Sequence, residues 1–259
     1  MREAEILTTR EFELIVEADV DAVYRAGAGL LARAADAAER ERGVFTVALA
    51  GGSTPRGLYS LLATDQQLRA LVPWEHAELF WSDERHVPPG HPDSNYRMAD
   101  EALVSRVAVP PARVHRVHGE DADAAQAARL YEAEVRRTVR AEEGTTPRFD
   151  LILLGLGTDG HTASLFPGTD ALSERTRLVV ANRVEKLGAE RITMTYPLLN
   201  AARRVMFVVT GSDKAPAVRD VLEPAPGSPE LPAAGVRPVD GRLIWVLDRA
   251  AASLLACGG

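Results

Sequence analysis

Cysteine is nearly missing from this chain: Cys257, close to the carboxyl end, is the only one. A single thiol forms no intramolecular disulfide, and no cysteine-based zinc site can be assembled from it. Lysine is almost as scarce. Lys186 and Lys214 stand alone although lysine and arginine together number 30, so a lysine inside a motif of this arginine-using chain carries extra weight. Aromatic residues make up 5%, which leaves a core built mostly of Ala, Val and Leu. No apolar run approaches the roughly 20 residues that a membrane-spanning helix needs. The opening segment, MREAEILTTREFELIVEADV, carries charges throughout and holds no apolar signal core. A cytoplasmic location is therefore expected.

Positive charge is also in deficit, with a formal net charge of −7. Such a surface repels nucleic acid and anionic membranes, so neither is an expected partner. A small anionic substrate would need a local basic pocket. The remaining composition, 46% hydrophobic and 26% charged over 259 residues, is that of a globular protein able to bury a sizeable core. Neither a repeat nor an interdomain linker stands out, so residues 1–259 are expected to form a single α/β domain. The oligomeric state, monomer or otherwise, is not fixed by the sequence.

Hydrophobic patterning alternates strands with helices. Buried strands are expected over residues 44–50 and 149–154, with shorter ones at 12–16, 78–81, 114–117, 177–181, 191–195, 204–210 and 243–247. Helices are expected at 18–42, from Pro55 through Leu62, and at 96–104, 121–143, 213–222 and 248–256. Residues 82–95 read as a polar loop and 223–232 as a proline-rich surface loop. The alternation predicts a mostly parallel sheet flanked by helices. In such sheets ligands sit beyond the carboxyl ends of the strands, where three motif-bearing loops can converge.

The first of these loops is Gly51-Gly52-Ser53-Thr54-Pro55, between a buried strand and a helix. Glycines let backbone amides approach an anion, and the helix start favours negative charge. A tight turn with an ordinary Ser or Thr cap reads equally well. The second, Phe80 to Tyr96, gathers Asp83, Glu84, Arg85, His86, His91, Asp93 and Asn95. Most of it reads as solvated, and its histidines lack the helical spacing of a metal pair. The third, Gly155 to Gly168, flanks Asp159 and His161 with glycines. A histidine there can take a proton from water near neutral pH. Gly155 to Gly160 matches the GxGxxG spacing of dinucleotide folds, but no long helix follows, which argues against a nicotinamide site. Arg191 and Lys214 border late strands and read alone as surface cations.

Taken together, GGSTP, SDERHVP with HPDSNY, FDLILLGLGTDGHTASLFPG, RITMTYPLLN, VTGSDKA, and LPAAGVRP with GRLIWVLD resemble the 6-phosphogluconolactonase family. That family shares a superfamily with glucosamine-6-phosphate deaminase and ribose-5-phosphate isomerase. Six ordered segments are far more specific than any one of them. The resemblance implies a Rossmann-like sheet with a smaller added α/β part, no metal and no cofactor. It also implies hydrolysis of a phosphorylated sugar lactone in the oxidative pentose phosphate pathway. On the same grounds Gly51, Gly52, Ser53 and Thr54 would cradle the phosphate, and Arg191 and Lys214 would neutralise it. His161 would be the general base with Asp159 beside it, and Asp83, Arg85 and Asn95 would line the sugar end. Thr158 stands where that family often has Pro or Ala. In the related deaminases Asp-Gly-His is followed by a stretch ending in Asn-Glu-Pro, whose Glu joins the relay; here Phe166 occupies that place. A regulatory sugar-phosphate sensor would carry a DNA-binding module, and no basic recognition helix is present.

Overall fold

The structure, a computed structural model, describes residues 5–8, 12–139, 141 and 144–256. Its elements run β1 (Glu5–Thr8), β2 (Glu13–Glu17), α1 (Val20–Arg42), β3 (Phe45–Leu49), α2 (Ser53–Thr64), α3 (Gln66–Ala70), β4 (Ala77–Trp81), β5 (Asp83–Arg85), α4 (Asn95–Ala102), α5 (Ala124–Thr138), β6 (Leu151–Leu154), β7 (Val179–Val184), β8 (Ala189–Met194), α6 (Tyr196–Leu199), β9 (Arg204–Val209), α7 (Ala215–Leu222) and β10 (Arg242–Asp248).

Seven strands form the main sheet in the order β1-β2-β10-β9-β6-β3-β4. All its pairings are parallel except β1 with β2. Strands β5, β8 and β7 make a second, antiparallel sheet. This is the mostly parallel, helix-flanked architecture expected, with its smaller added part.

The period-2 alternation of buried strands sorts side chains onto two faces. Val47, Leu49, Leu151 and Leu153 join the core under α1, α2 and α4. Ala48, Ile152 and Leu154 join the core that α5, α7 and the small sheet cover. Helix α1 turns an alanine-rich side inward, including Ala28, Ala32, Ala35 and Ala38. Asp19 caps its start by accepting from the Ala22 N–H at 2.9 Å, and Gly43, left-handed at φ 70°, ends it.

At the amino ends of the central strands a buried carboxylate joins β3 to β6. Asp150 Oδ2 accepts from the Thr46 N–H at 2.8 Å and from Thr46 Oγ1 at 2.9 Å. The Asp150 N–H donates back to Thr46 Oγ1 at 3.0 Å, and Arg42 donates to Asp150 Oδ1 at 2.8 Å.

Several elements differ from expectation. Residues 83–85 are a strand rather than part of a polar loop, because they pair with β8. Val114 makes only an isolated bridge to Leu79, so 114–117 is not a strand. The expected closing helix at 248–256 is a run of turns; Asp248 is buried as the last residue of β10, and its carboxylate accepts from the Ala251 N–H at 2.7 Å. Helix α5 ends at Thr138, and residues 140, 142 and 143 of the expected helix, like Cys257, lie outside the described residues. Strand β1 answers to no expected element.

The Asp150 cluster predicts a separable effect. Asp150→Ala leaves buried N–H and O–H donors unpaired and should lower stability by about 2–4 kcal/mol. Denaturant unfolding measures that loss. The steady-state KM of the folded fraction should hold, because the substitution lies at the strand ends opposite the motif loops; a KM that moved with the unfolding midpoint would contradict this separation.

Candidate functional site

Strand order reverses between β3 and β6: from β3 the chain passes outward to β4, then returns to β6 on the other side of β3. Loops leaving two such strands diverge and open a crevice at their carboxyl ends. The structure has a cavity of about 190 Å3 there. Gly51, Gly52, Ser53, Thr54, Asp83, Arg85, Asn95, Gly157, His161, Ala163 and Lys214 contribute to its wall. Two larger clefts, of about 760 and 860 Å3, contain none of the site residues expected from the sequence.

Two buried tyrosine hydroxyls close the strand ends beneath this cavity. Tyr59 Oη accepts from the Ala50 N–H at 2.8 Å and donates to the Ala50 carbonyl at 3.0 Å. Tyr131 does the same for Trp81, at 2.7 and 3.0 Å. The backbone is thereby satisfied where the ladder stops, and the chain can turn away. After Ala50 the turn needs glycine twice. A Cβ on Gly51 would stand 1.9 Å from Asn95 Oδ1, and Gly52 has φ 105°. Gly52 is itself the cap of α2, with no side-chain cap bond. Neither Ser53 nor Thr54 caps the helix, contrary to one reading of the sequence. Thr54 Oγ1 instead meets Thr210 Oγ1 at 2.9 Å, tying α2 to the end of β9.

Strand β5 explains the division of labour within Asp83-Glu84-Arg85. Side chains two apart share a face, so Asp83 and Arg85 reach the cavity while Glu84 points away. Register places Arg85 opposite Arg191 and Asp83 opposite Thr193. Asp83 is buried, accepting from Ser164 Oγ at 2.6 Å and from Asn95 Nδ2 at 3.2 Å. Glu84, also buried, accepts from the N–H groups of Arg85, Asn95 and Tyr96 at 2.7, 2.7 and 2.8 Å, and from Ser94 Oγ at 3.0 Å. Burial raises its pKa against those donors. Glu84 thus anchors the start of α4 and carries Asn95 to the cavity. From the sequence alone Glu84 has no separate role, because its position between two cavity residues becomes visible only once β5 is paired with β8.

The loop after β6 carries His161. Its Nδ1 lies 2.5 Å from Asp159 Oδ1, and that same oxygen accepts the His161 N–H at 3.2 Å. A Cβ on Gly157 would fall 1.9 Å from Nδ1, so the imidazole lies directly against glycine. Its ring stacks on Phe166, centroids 4.1 Å apart. Ala163, in the same loop and on the cavity wall, holds a left-handed φ of 47°, a costly conformation for a residue with Cβ. The His161 pKa is pulled down to about 4, chiefly by burial; Asp83 opposes the shift, and Lys214, Arg85 and Arg191 reinforce it. The outer oxygen of Asp159 pairs with Lys186.

Lys214 sits in the single turn before α7, 3.5 Å from Asp213. Arg191 is not on the cavity wall itself but stands across the ladder from Arg85. Burial and then the Arg85 charge lower its pKa. The buried Arg85 Nε has no hydrogen-bond partner among the described residues. Asp159 lies behind His161 rather than on the wall. Among the described residues no cluster of His, Cys, Asp or Glu could hold a metal, and no helix is long and apolar enough to cross a membrane.

A mostly parallel α/β sheet with a cavity at a strand-order reversal, walled by a glycine turn, cations and one imidazole, defines a fold of the Rossmann-like class. Residues 18–245 match the family described as glucosamine-6-phosphate isomerases/6-phosphogluconolactonase. A 6-phosphogluconolactonase of Nostoc sp. is 42% identical over 85% of this chain and 89% of its own length. One from Synechocystis sp. is 46% identical over 82% and 85%. The solved structure of 6-phosphogluconolactonase from Trypanosoma cruzi superposes with a TM-score of 0.84 at 30% identity, covering 98% of this chain and 100% of that one. The chain belongs to the glucosamine-6-phosphate isomerase/6-phosphogluconolactonase family.

The Glu84 anchor yields a prediction. Glu84→Gln replaces one acceptor oxygen with a donor facing donors and should cost about 1–3 kcal/mol. Thermal unfolding measures it, and an unchanged midpoint would show that the start of α4 does not depend on this carboxylate.

Proposed function

We propose that this chain hydrolyses 6-phospho-D-glucono-1,5-lactone to 6-phosphogluconate, the lactone-opening step of the oxidative pentose phosphate pathway, with His161 as general base. The observation that carries the reading is the meeting of the Gly51–Ser53 turn, Lys214, Arg85 and His161 around one cavity. Relatives of 42 and 46% identity bearing the lactonase name support the same substrate.

The phosphate binds at the start of α2. The first amides of a helix have no partner within it, and the glycines expose them to an anion. Lys214 and Arg191 supply the charge. Asp83 and Asn95 fix each other and receive sugar hydroxyls. Two guanidiniums on adjacent strands repel, so an anion or a developing oxyanion between them relieves an existing electrostatic cost. Arg85, whose Nε has no partner among the described residues, stabilises the tetrahedral intermediate.

With Nδ1–H donated to Asp159, Nε2 carries the lone pair. It takes a proton from a water molecule as that water's oxygen attacks the lactone carbonyl carbon. The tetrahedral intermediate then collapses, the bond from carbonyl carbon to ring oxygen breaks, and His161 returns the proton to that oxygen. A folded-state pKa of about 4 means that the imidazole is unprotonated throughout the neutral range. Phosphate binding remote from the ester orients the carbonyl toward Nε2.

Phe166 favours lactone opening over deamination of an amino sugar phosphate. The position where the deaminases supply a relay carboxylate holds an aromatic ring stacked on the imidazole. A supply of lactone and of glucosamine 6-phosphate tests this directly: acid release from the first and no ammonia from the second is the expected pair of results.

His161→Ala should lower kcat by about a hundredfold or more, measured against spontaneous hydrolysis with chelator present. Near-normal turnover would falsify the base assignment. Lys214→Met should instead raise KM for the phosphorylated lactone about tenfold or more while sparing an unphosphorylated analogue. Equal damage to both substrates would remove Lys214 from the phosphate.

A further inference from the structure

Lys186, one of only two lysines, lies in the turn between β7 and β8. Its ammonium pairs with Asp159 Oδ2 and sits 4.8 Å from the centre of the Phe166 ring. Asp159 holds His161 Nδ1 through its other oxygen, and Phe166 stacks on the imidazole. The four side chains therefore form a closed ring of contacts: ammonium to carboxylate, carboxylate to imidazole, imidazole to phenyl, phenyl to ammonium. Half of the Lys186 side chain is exposed, 51%. Exposed ion pairs contribute little to folding, so stability does not account for this one. Lys186 also comes from the small sheet, whereas His161 follows β6, so the contact joins two separate parts of the fold.

We infer that Lys186 is a positioning residue for the imidazole: it clamps Asp159 and Phe166 about His161 and offsets the carboxylate charge that would otherwise strengthen proton binding by the ring. This rests on the reading of His161 as general base. A carboxylate bonded to one ring nitrogen favours the imidazolium. A bound phosphate dianion adds negative charge to the same cavity. Both would push His161 toward the protonated form, which cannot accept a proton from water. The other charges facing the ring come from β5 (Asp83, Arg85), β8 (Arg191) and the turn before α7 (Lys214). Asp83 favours the imidazolium and the three cations oppose it. Lys186 acts on the one carboxylate in direct contact with the ring, a place that none of those three cations occupies.

The test uses the full chain carrying Lys186→Met, with Lys186→Arg as the conservative variant. Two quantities are followed: the His161 imidazole titration by NMR, and the acid limbs of kcat and kcat/KM for the lactone. In Lys186→Met both should move to higher pH by about half a unit or more, roughly a threefold loss of free base on the acid limb. KM should stay within about twofold, and Lys186→Arg should return the profile to that of the parent chain. An unmoved NMR titration overturns the inference and leaves Lys186 as a surface ion pair, whatever the activity does. A raised KM with both the NMR titration and the rate profile unmoved overturns it as well and assigns Lys186 to substrate. A shifted NMR titration with an unshifted rate profile upholds the clamp but removes His161 from the base role, so failure of the underlying reading has its own signature.

Discussion

The parallel pairing of β3 with β6 is the constraint on which the rest of this molecule depends. Residues a hundred positions apart in sequence are brought side by side, and each strand then delivers a glycine turn at the same edge of the sheet. The Thr46–Asp150 cluster fixes this pairing at the amino ends through bonds that leave neither partner unsatisfied. Because β4 and β9 flank the pair on opposite sides, their own following loops arrive at the cavity as well. Asp83 and Lys214, from those two loops, thus line the same cavity. A site assembled in this way is held by the sheet, which suits chemistry that depends on placing an ester within reach of one nitrogen.

One polar link between the small sheet and this frame runs through Asp83. Its carboxylate accepts from Ser164, in the histidine loop, and from Asn95, at the start of α4. Thr193, across the ladder from Asp83, accepts the Ser164 N–H at 3.1 Å. Asn182 of β7 donates to the Ser164 carbonyl at 2.8 Å. Ser164 therefore has its hydroxyl, N–H and carbonyl all committed to the small sheet or its neighbour. This accounts for the strained Ala163 immediately before it: the backbone must reverse there to reach those partners while leaving His161 at the cavity.

Much of this was legible in the sequence because parallel strands buried on both faces leave continuous apolar runs, as in residues 149–154, and because glycines such as Gly51 and Gly157 mark turns where a neighbouring side chain comes close. The alternation of strand and helix, the parallel sheet and the three motif loops followed from those signals. Strand β5 did not, since three residues, two of them cavity-facing, show too little alternation to distinguish a strand from a polar loop; only pairing with β8 defines it. The turns after Asp248 carry an alanine-rich, helix-like composition, but the Asp248 carboxylate captures the Gly211 and Ala251 amides and curls the chain instead. Asp159 and His161 were visible as a pair because they are two residues apart. Lys186 was visible only as a rarity of composition, and its partner lies 27 positions away, beyond what spacing can reveal.

The charge pattern of the site makes sense only against that of the whole. A chain of net charge −7 repels its own proposed substrate at long range, so attraction has to be local. Arg85, Arg191 and Lys214 concentrate positive charge in one cavity wall and its supporting strand, where low-dielectric surroundings strengthen their field. Beside the larger effect of burial, these cations also disfavour protonation of the imidazole among them. Phe166 fits this arrangement. A glutamate in its place would set a second carboxylate beside His161 and raise its proton affinity, as a relay to an amino group requires. An aromatic ring instead excludes water from one face of the imidazole, adds no charge, and leaves Asp159 as the single carboxylate in contact with it.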